Sequence, residues 1–329
     1  GNFSGLRQQE ILVSRGTRLQ LLRPDPTVGK LTNVLVHDVF GSVRSLAAFR
    51  LTGGTKVGSD SGRIVIMEYD TKQNTFVKLY QETYGKSGAR RIVPGQMLAT
   101  DPKGRSLMVS AMEKAKLVYV LNRDAAANLT ISSPLEAHKS SAIIHHIVGV
   151  DVGFENPLYA ALEVDYSEAD NDPTGEAYTN TEKLDLGLNH VVRRWSEPTD
   201  PRANLLVQVP GGQTTSGDPP TVRIDGPSGV LVCCEDHVIY RHMDQPQLRV
   251  PIPRREHPLE DQSRGLLIIS AVMHRMKGAF FFLLQSELGD LYKVTLEHQD
   301  EDVVALKIKY FDTVSAAVNL CILKSGHLF

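Results

Sequence analysis

The chain has 329 residues with 36 Lys and Arg against 38 Asp and Glu, a formal charge of −2. That balance gives no surplus of positive charge for a phosphate backbone, which argues against an autonomous nucleic-acid binder. Three cysteines cannot make a disulfide framework, a single Trp among 6% aromatics does not suit a ring-stacked carbohydrate surface, and no apolar run reaches the ~20 residues that span a bilayer.

Taken in chain order, seven hairpin signals recur, each a β-rich run, a polar or Gly-bearing turn and a second β-rich run. The first joins Ile11–Ser14 to Leu19–Arg23 through Arg15-Gly16-Thr17, and the second joins Val57-Gly58 to Ile64–Tyr69 through Ser59–Gly62. The third turns at Glu113-Lys114 between Leu107–Val109 and Leu117–Leu121, and the fourth is interrupted by a polar insertion around Gly175. Glu235-Asp236 links Val230–Cys233 to Val238–Tyr240, and Ser286–Gly289 links Phe280–Leu284 to Leu291–Leu296. The seventh is Leu320–Leu323, Lys324-Ser325-Gly326 and His327-Leu328-Phe329. Marked at Gly16, Gly62, Lys114, Gly175, Asp236, Gly289 and Gly326, the intervals are 46, 52, 61, 61, 53 and 37 residues.

A long period carrying strands and almost no helical pattern predicts an all-β, seven-bladed β-propeller. One blade cannot bury both of its faces, so neighbouring repeats must stack. The expected blades are approximately 1–43, 44–94, 95–140, 141–200, 201–262, 263–313 and 314–329, the last partial. The ring is expected to be incomplete at both ends, with closing strands supplied elsewhere in a longer polypeptide. Two places read as too short. Thr52–Val57 leaves little room for a turn and a strand, and Leu184-Asp185-Leu186 is a stub. The stretches Tyr166–Lys183, Pro210–Gly229 and Arg254–Arg264 read as surface loops.

A search for chemistry finds little. Asp170-Asn171-Asp172-Pro173-Thr174-Gly175 starts like a calcium loop, but its twelfth position is Thr181 where a bidentate Glu is needed. The vicinal His145-His146 sits on a strand, and no HExxH or CxxC spacing accompanies it. Gly58–Gly62 lacks the Gly-Lys-Ser/Thr ending of a phosphate loop and leads into alternating Ile64 and Ile66. There is no nucleophile elbow. The expectation is therefore no catalytic residue, no cofactor and no metal. Cys233 and Cys234 should point to opposite faces of one strand as reduced thiols. Three basic pairs, Arg90-Arg91, Arg193-Arg194 and Arg254-Arg255, are either solvated surface or anchors for acidic partner surfaces.

Longer motifs identify a family. Phe49–Gly54 followed by Gly58–Ile66, then Lys86-Ser87-Gly88 with Arg90–Gln96, are joined by Leu121–Ala127, Asn171–Ala177 and Leu186–Arg193. In this order they resemble the splicing factor 3b subunit 3 family over essentially the whole chain, with a fungal character. The large damaged-DNA-binding adaptor of cullin ligases and the largest cleavage-and-polyadenylation specificity subunit are more distant relatives. The resemblance implies three seven-bladed propellers and a helical region in the parent protein, with this chain as most of the first propeller. It implies a nuclear, non-catalytic scaffold of the U2 small nuclear ribonucleoprotein that supports branch-site recognition. Its partners would be the HEAT-repeat subunit 1, the small subunits and its own remaining propellers, with little direct RNA contact and no membrane. The alternatives are a cullin-ligase adaptor and, from another class, a propeller hydrolase. Arg90, Arg91, Asp170, Asp172, Arg193 and Arg194 are the expected partner-contact residues. The acidic insertion Ser167–Glu182 should project from the face that carries the second-to-third-strand turns.

Overall fold

The computed structural model describes the chain apart from residues 7, 26, 40, 52–53, 58–61, 84–91, 127, 151–155, 170, 172–177, 187–190, 217–220, 225, 243–244, 256–260 and 262. Along several strands, 193 and 194 included, only the backbone is described. Every regular element among the described residues is a strand. β1 (Ile11–Arg15), β2 (Arg18–Asp25) and β3 (Lys30–Asp38) form an antiparallel three-stranded sheet. β4 (Ala48–Leu51), β5 (Gly54–Val57), β6 (Arg63–Asp70) and β7 (Thr75–Thr83) form the second. The third runs through β8 (Met97–Thr100), β9 (Ser106–Ser110) and β10 (Lys116–Arg123), whose far edge is shared by β11 (Leu129–Ile131) and β12 (Leu135–Glu136). β13 (Ala142–Val150), β14 (Leu158–Asp165), β15 (Tyr178–Leu186) and β16 (Val191–Pro198) make the fourth. In the fifth, β17 (Leu205–Gln208) is followed by a separate hairpin, β18 (Gln213–Ser216) and β19 (Thr221–Ile224), before β20 (Val230–Cys234), β21 (His237–His242) and β22 (Gln245–Pro251) complete the sheet. β23 (Ile268–Met276), β24 (Ala279–Ser286), β25 (Asp290–Gln299) and β26 (Asp302–Thr313) form the sixth.

The burial pattern follows from stacking these sheets face to face. Middle strands such as β9 and β20 are buried at every residue, because both of their faces meet a neighbouring sheet. Outer strands such as β22 and β26 alternate or open to solvent. The apolar residues fall into five clusters, and each fills one seam between consecutive sheets. Leu19, Leu21, Met67 and Phe76 fill the first seam; Val209, Leu231, Tyr240, Phe282, Leu284 and Tyr292 fill the last. A side chain such as Phe282, fully buried in its seam, contributes about 2–3 kcal/mol by leaving water.

Several expectations change here. Four of the turn markers, Gly62, Lys114, Asp236 and Gly289, lie in second-to-third-strand connections; Gly16 closes the β1–β2 turn of the three-stranded first sheet, and Gly175 lies outside the described residues. Gly326 is different. Cys321 and Phe329 exchange backbone hydrogen bonds of 2.7 Å around it, and Leu320 and Cys321 line the same axial cavity as Met97 and Leu98 of β8 and His146 and Ile147 of β13. Residues 320–323 thus occupy a first-strand position and Gly326 marks a first-to-second turn. The last interval is short because an earlier turn of the repeat was counted.

Leu184–Leu186 is no stub but the end of β15, which pairs with β14 from Tyr178 to Asp185. The eight-residue edge of β14 needs a partner of equal length, and Tyr178, Thr179 and Thr181 have the β-branched and aromatic character to supply it. The insertion is accordingly shorter than expected, ending at 177. β5 does pair along its four residues with β4 but meets β6 only at Val57 and Met67. The stretch Pro210–Gly229 is not loop throughout, since it holds β18 and β19.

Candidate interaction surface

Among the described residues no group of three or more His, Cys, Asp and Glu is placed to hold a metal. The polar chemistry lies in the seams between sheets and in the turns on the second-to-third-strand face.

That face is built from sharp turns whose carboxylates are held by arginines from the connections between sheets. Asp236, at φ 66°, closes the β20–β21 turn; its side chain accepts from Arg254 at 2.6 Å and from the Leu266 N–H at 2.9 Å. Burial pushes this carboxyl upward, but the Arg254 and Leu266 hydrogen bonds outweigh it and hold the group below the usual range. Arg202 donates to the neighbouring Glu235. One sheet further on, Arg264 meets Glu287 at 2.9 Å, and Arg255 lies 3.6 Å from the buried Asp290. Between them is a notch of about 250 Å³ floored by Leu266 and Tyr292. Arg254 and Arg255 are therefore committed to this chain's own carboxylates and not free anchors.

The seam between the third and fourth sheets carries a buried ion pair, Lys116 on β10 with Glu163 on β14. Lys139 and Asp165 extend it outward at 3.2 Å. The Tyr166 backbone N–H donates to Ser141 at 2.9 Å, and its hydroxyl reaches Glu113 at 3.5 Å, so the insertion leaves from the face that carries the β9–β10 turn. Glu168 is exposed there and accepts from the Asn171 amide at 3.2 Å. Between the fourth and fifth sheets, the Arg241 guanidinium donates to Glu197 at 2.8 Å and the Pro198 carbonyl at 2.9 Å while lying 5.8 Å from the Trp195 ring centre.

Nearer the axis the Leu206 N–H donates to His146 Nδ1 at 3.3 Å, which requires an unprotonated nitrogen. Burial pushes this imidazole down to about 4. Because the unfolded chain binds a proton near pH 6.5 and the folded one only near 4, stability falls as pH drops through that window and is level above it. The expected loss is about 2 kcal/mol, somewhat below the full shift because the ring is half-buried. Urea midpoints at pH 7 and pH 4.5 should differ less for His146→Gln than for the parent protein.

Of the expected contact residues, Arg90, Arg91, Asp170 and Asp172 lie outside the described residues. Arg193 and Arg194 fall on β16, Arg193 opposite Leu184 of β15, with their side chains outside the described set. Sequence reading passed over Lys116, Glu163 and Arg241. Their signal was a charged residue inside an otherwise apolar strand, as in Leu162-Glu163-Val164.

The profile of the RSE1/DDB1/CPSF1 first beta-propeller matches residues 1–329. The chain belongs to this family. It is 65% identical over 341 residues to the pre-mRNA-splicing factor RSE1 of Mycosarcoma maydis, covering 100% of this chain and 28% of that protein. It is 58% identical over 340 residues to splicing factor 3B subunit 3 of Danio rerio, and 57% identical over 340 to spliceosome-associated protein 130 A of Arabidopsis thaliana, each covering 100% of this chain and 27% of the relative. The chain thus spans just over a quarter of the relatives it matches. The 341 aligned positions exceed this chain's 329 residues by 12, so the Mycosarcoma maydis protein has residues there without a counterpart here.

Proposed function

We propose that this chain is a non-catalytic protein-interaction scaffold of the splicing factor 3b complex, acting within the nuclear U2 small nuclear ribonucleoprotein in support of branch-site recognition. The observation that carries this reading is 54–65% identity over the whole of this chain to proteins named as splicing factors from fungi and animals and as a spliceosome-associated protein from Arabidopsis thaliana. Rigid stacked sheets suit such a role, since they fix the turns between strands as a binding surface. The formal charge of −2 favours protein partners over RNA. The partners are the HEAT-repeat subunit 1, the small subunits and further propellers of the same polypeptide. The sheets belong to a seven-bladed ring with divisions near residues 43, 94, 140, 200, 262 and 313. Affinity purification of the full-length protein from nuclear extract tests the reading. The expected companions are these subunits and U2 RNA; recovery of cullin-ligase components instead would favour the adaptor alternative.

Partner contact is assigned to Arg90, Arg91, Arg193 and Arg194 and to the acidic insertion with Asp170 and Asp172. Reversing Arg90 and Arg91 to Glu should lower recovery of the HEAT-repeat subunit about tenfold, the scale of one interfacial charged hydrogen bond. Unchanged recovery would remove this pair from the interface. Replacing residues 167–177 by a short Gly-Ser turn, which spares β15, should leave assembly unchanged if the insertion is a solvated loop. Lost assembly would make it a docking element for a basic surface.

A further inference from the structure

Of the three basic pairs in the chain, one is followed by a hydroxyl at the spacing that protein kinases read. Arg90-Arg91 is followed by Ile92-Val93 and Arg254-Arg255 by Glu256-His257, whereas Arg193-Arg194 is followed by Trp195-Ser196. Arginines at the third and second positions before a serine are the charge pattern selected by kinases whose peptide groove is lined with carboxylates, because each guanidinium pairs with a carboxylate there.

The structure leaves this serine open. β16 is the outermost strand of the fourth sheet and bonds only to β15 among the described strands, so its other edge is uncovered. Ser196 is exposed, and its hydroxyl makes no hydrogen bond among the described residues. The preceding Trp195 ring lies 5.8 Å from the Arg241 guanidinium in the seam with the fifth sheet, and alternation along the strand sets Ser196 on the other side. The ladder to β15 is also interrupted inside the motif. Leu184 pairs with Arg193 and Lys183 with Trp195, which leaves Arg194 as the extra residue of a bulge. The strand then ends at Pro198, just past Ser196. A stretch bonded along one edge, bulged within and close to its strand end opens locally at small cost. It is already extended, as a peptide lying in a binding groove is.

We propose that Ser196 is a phosphorylation site for a serine/threonine kinase of this arginine-reading class, and that its phosphate switches off partner contact by Arg193 and Arg194. In the step, Ser196 Oγ bonds to the γ-phosphorus of ATP and the bond from that phosphorus to the β–γ bridging oxygen breaks. The hydroxyl proton passes to the kinase's base, and ADP leaves. The phosphate brings about 1.5 to 2 negative charges to a segment where Arg193 and Arg194 supply the positive charge, so an acidic partner surface meets little net attraction. Glu182 opposite Ser196 on β15 and Glu197 beside it add to the repulsion. The switch rests on Arg193 and Arg194 touching a partner; the modification itself does not.

The native full-length protein, incubated with ATP and the catalytic subunit of the cyclic-AMP-dependent kinase as the probe enzyme, tests the site, with phosphate located by peptide mass spectrometry. Near-complete phosphorylation at Ser196 is expected. It should be absent in Ser196→Ala and slowed about tenfold when Arg193 and Arg194 are both changed to Gln, through loss of charged hydrogen bonds in the kinase groove. No phosphate at Ser196 in the native protein, or phosphate there only after urea unfolding, would overturn the site. Equal rates for the parent and the double Gln variant would overturn the role of the arginines. The switch is read as recovery of the HEAT-repeat subunit by treated and untreated protein, with Ser196→Ala carried through the same treatment. Recovery about tenfold lower for the phosphorylated parent alone is expected. Equal recovery would overturn the switch. Undiminished recovery by the unphosphorylated double Gln variant would overturn the contact reading, and the switch with it, while leaving the site standing.

Discussion

Replacing Glu163 with Ala is expected to destabilise the protein by about 3–5 kcal/mol, the cost of leaving a buried ammonium without its counter-charge. Lys116 is 0% exposed and Glu163 2%, so water cannot take over from the missing partner. The same argument sets the outcome of the double change. Lys116→Met with Glu163→Leu removes both charges and keeps the volume, and it should return to within about 1 kcal/mol of the parent or exceed it. Urea denaturation of the two single variants and the double variant forms a cycle that isolates the pair. A loss below about 1 kcal/mol for Glu163→Ala would show that the pair is solvated in the working protein. The result bears on specificity as well. The pair ties β10 to β14 and so fixes how the third and fourth sheets face each other, a constraint that apolar packing alone imposes less sharply.

Gly149→Ala is expected to cost about 2–3 kcal/mol through overpacking. A methyl group at Gly149 would lie 2.2 Å from the Thr100 carbonyl oxygen and 2.9 Å from its carbon, both rigid backbone atoms. Gly149 is on β13 and Thr100 ends β8, two first strands that converge toward the axis, where room between sheets is least. Gly278→Ala is the control. Nothing lies within 4 Å of its added methyl, and only its φ of +77° opposes the change, so about 1 kcal/mol is expected. Similar losses at the two positions would mean that the first strands are not closely packed.

The period of the fold was legible because the recurring hairpin turns carry Gly or a residue able to adopt positive φ. Gly16, Gly62, Lys114, Asp236 and Gly289 all do so. Apolar middle strands flank these turns and gave the β reading its contrast. Strands without that contrast were missed. β18 is written in Gln, Thr and Ser, β19 has only Val222 and Ile224 beside Thr and Arg in a Gly- and Pro-rich stretch, and Tyr178–Glu182 is polar enough to pass for loop. What made Tyr178–Glu182 a strand was the edge of β14, and what made β18 and β19 strands was their pairing with each other, neither of which composition displays. The Lys116–Glu163 pair was illegible for another reason. The two residues stand 47 positions apart, and only the packing of consecutive sheets makes them partners. The contact surface was the least legible part, since a basic pair reads alike whether it binds its own carboxylates, as Arg254 does, or a partner's.

Cys233 and Cys234 illustrate what alternation along one strand makes available. Cys233 belongs to the apolar cluster between the fifth and sixth sheets, and Cys234 to the cluster between the fourth and fifth. Burial pushes both thiols up, Cys234 to about 12, so neither reacts while its seam is closed. One strand therefore carries two independent latches, one to each side. A pulse of thiol reagent during partial unfolding would modify Cys233 if the sheet parts from its successor, Cys234 if it parts from its predecessor, and both if the ring opens as a whole. The order in which the sheets let go can thus be recorded by native residues, with no label introduced into the protein.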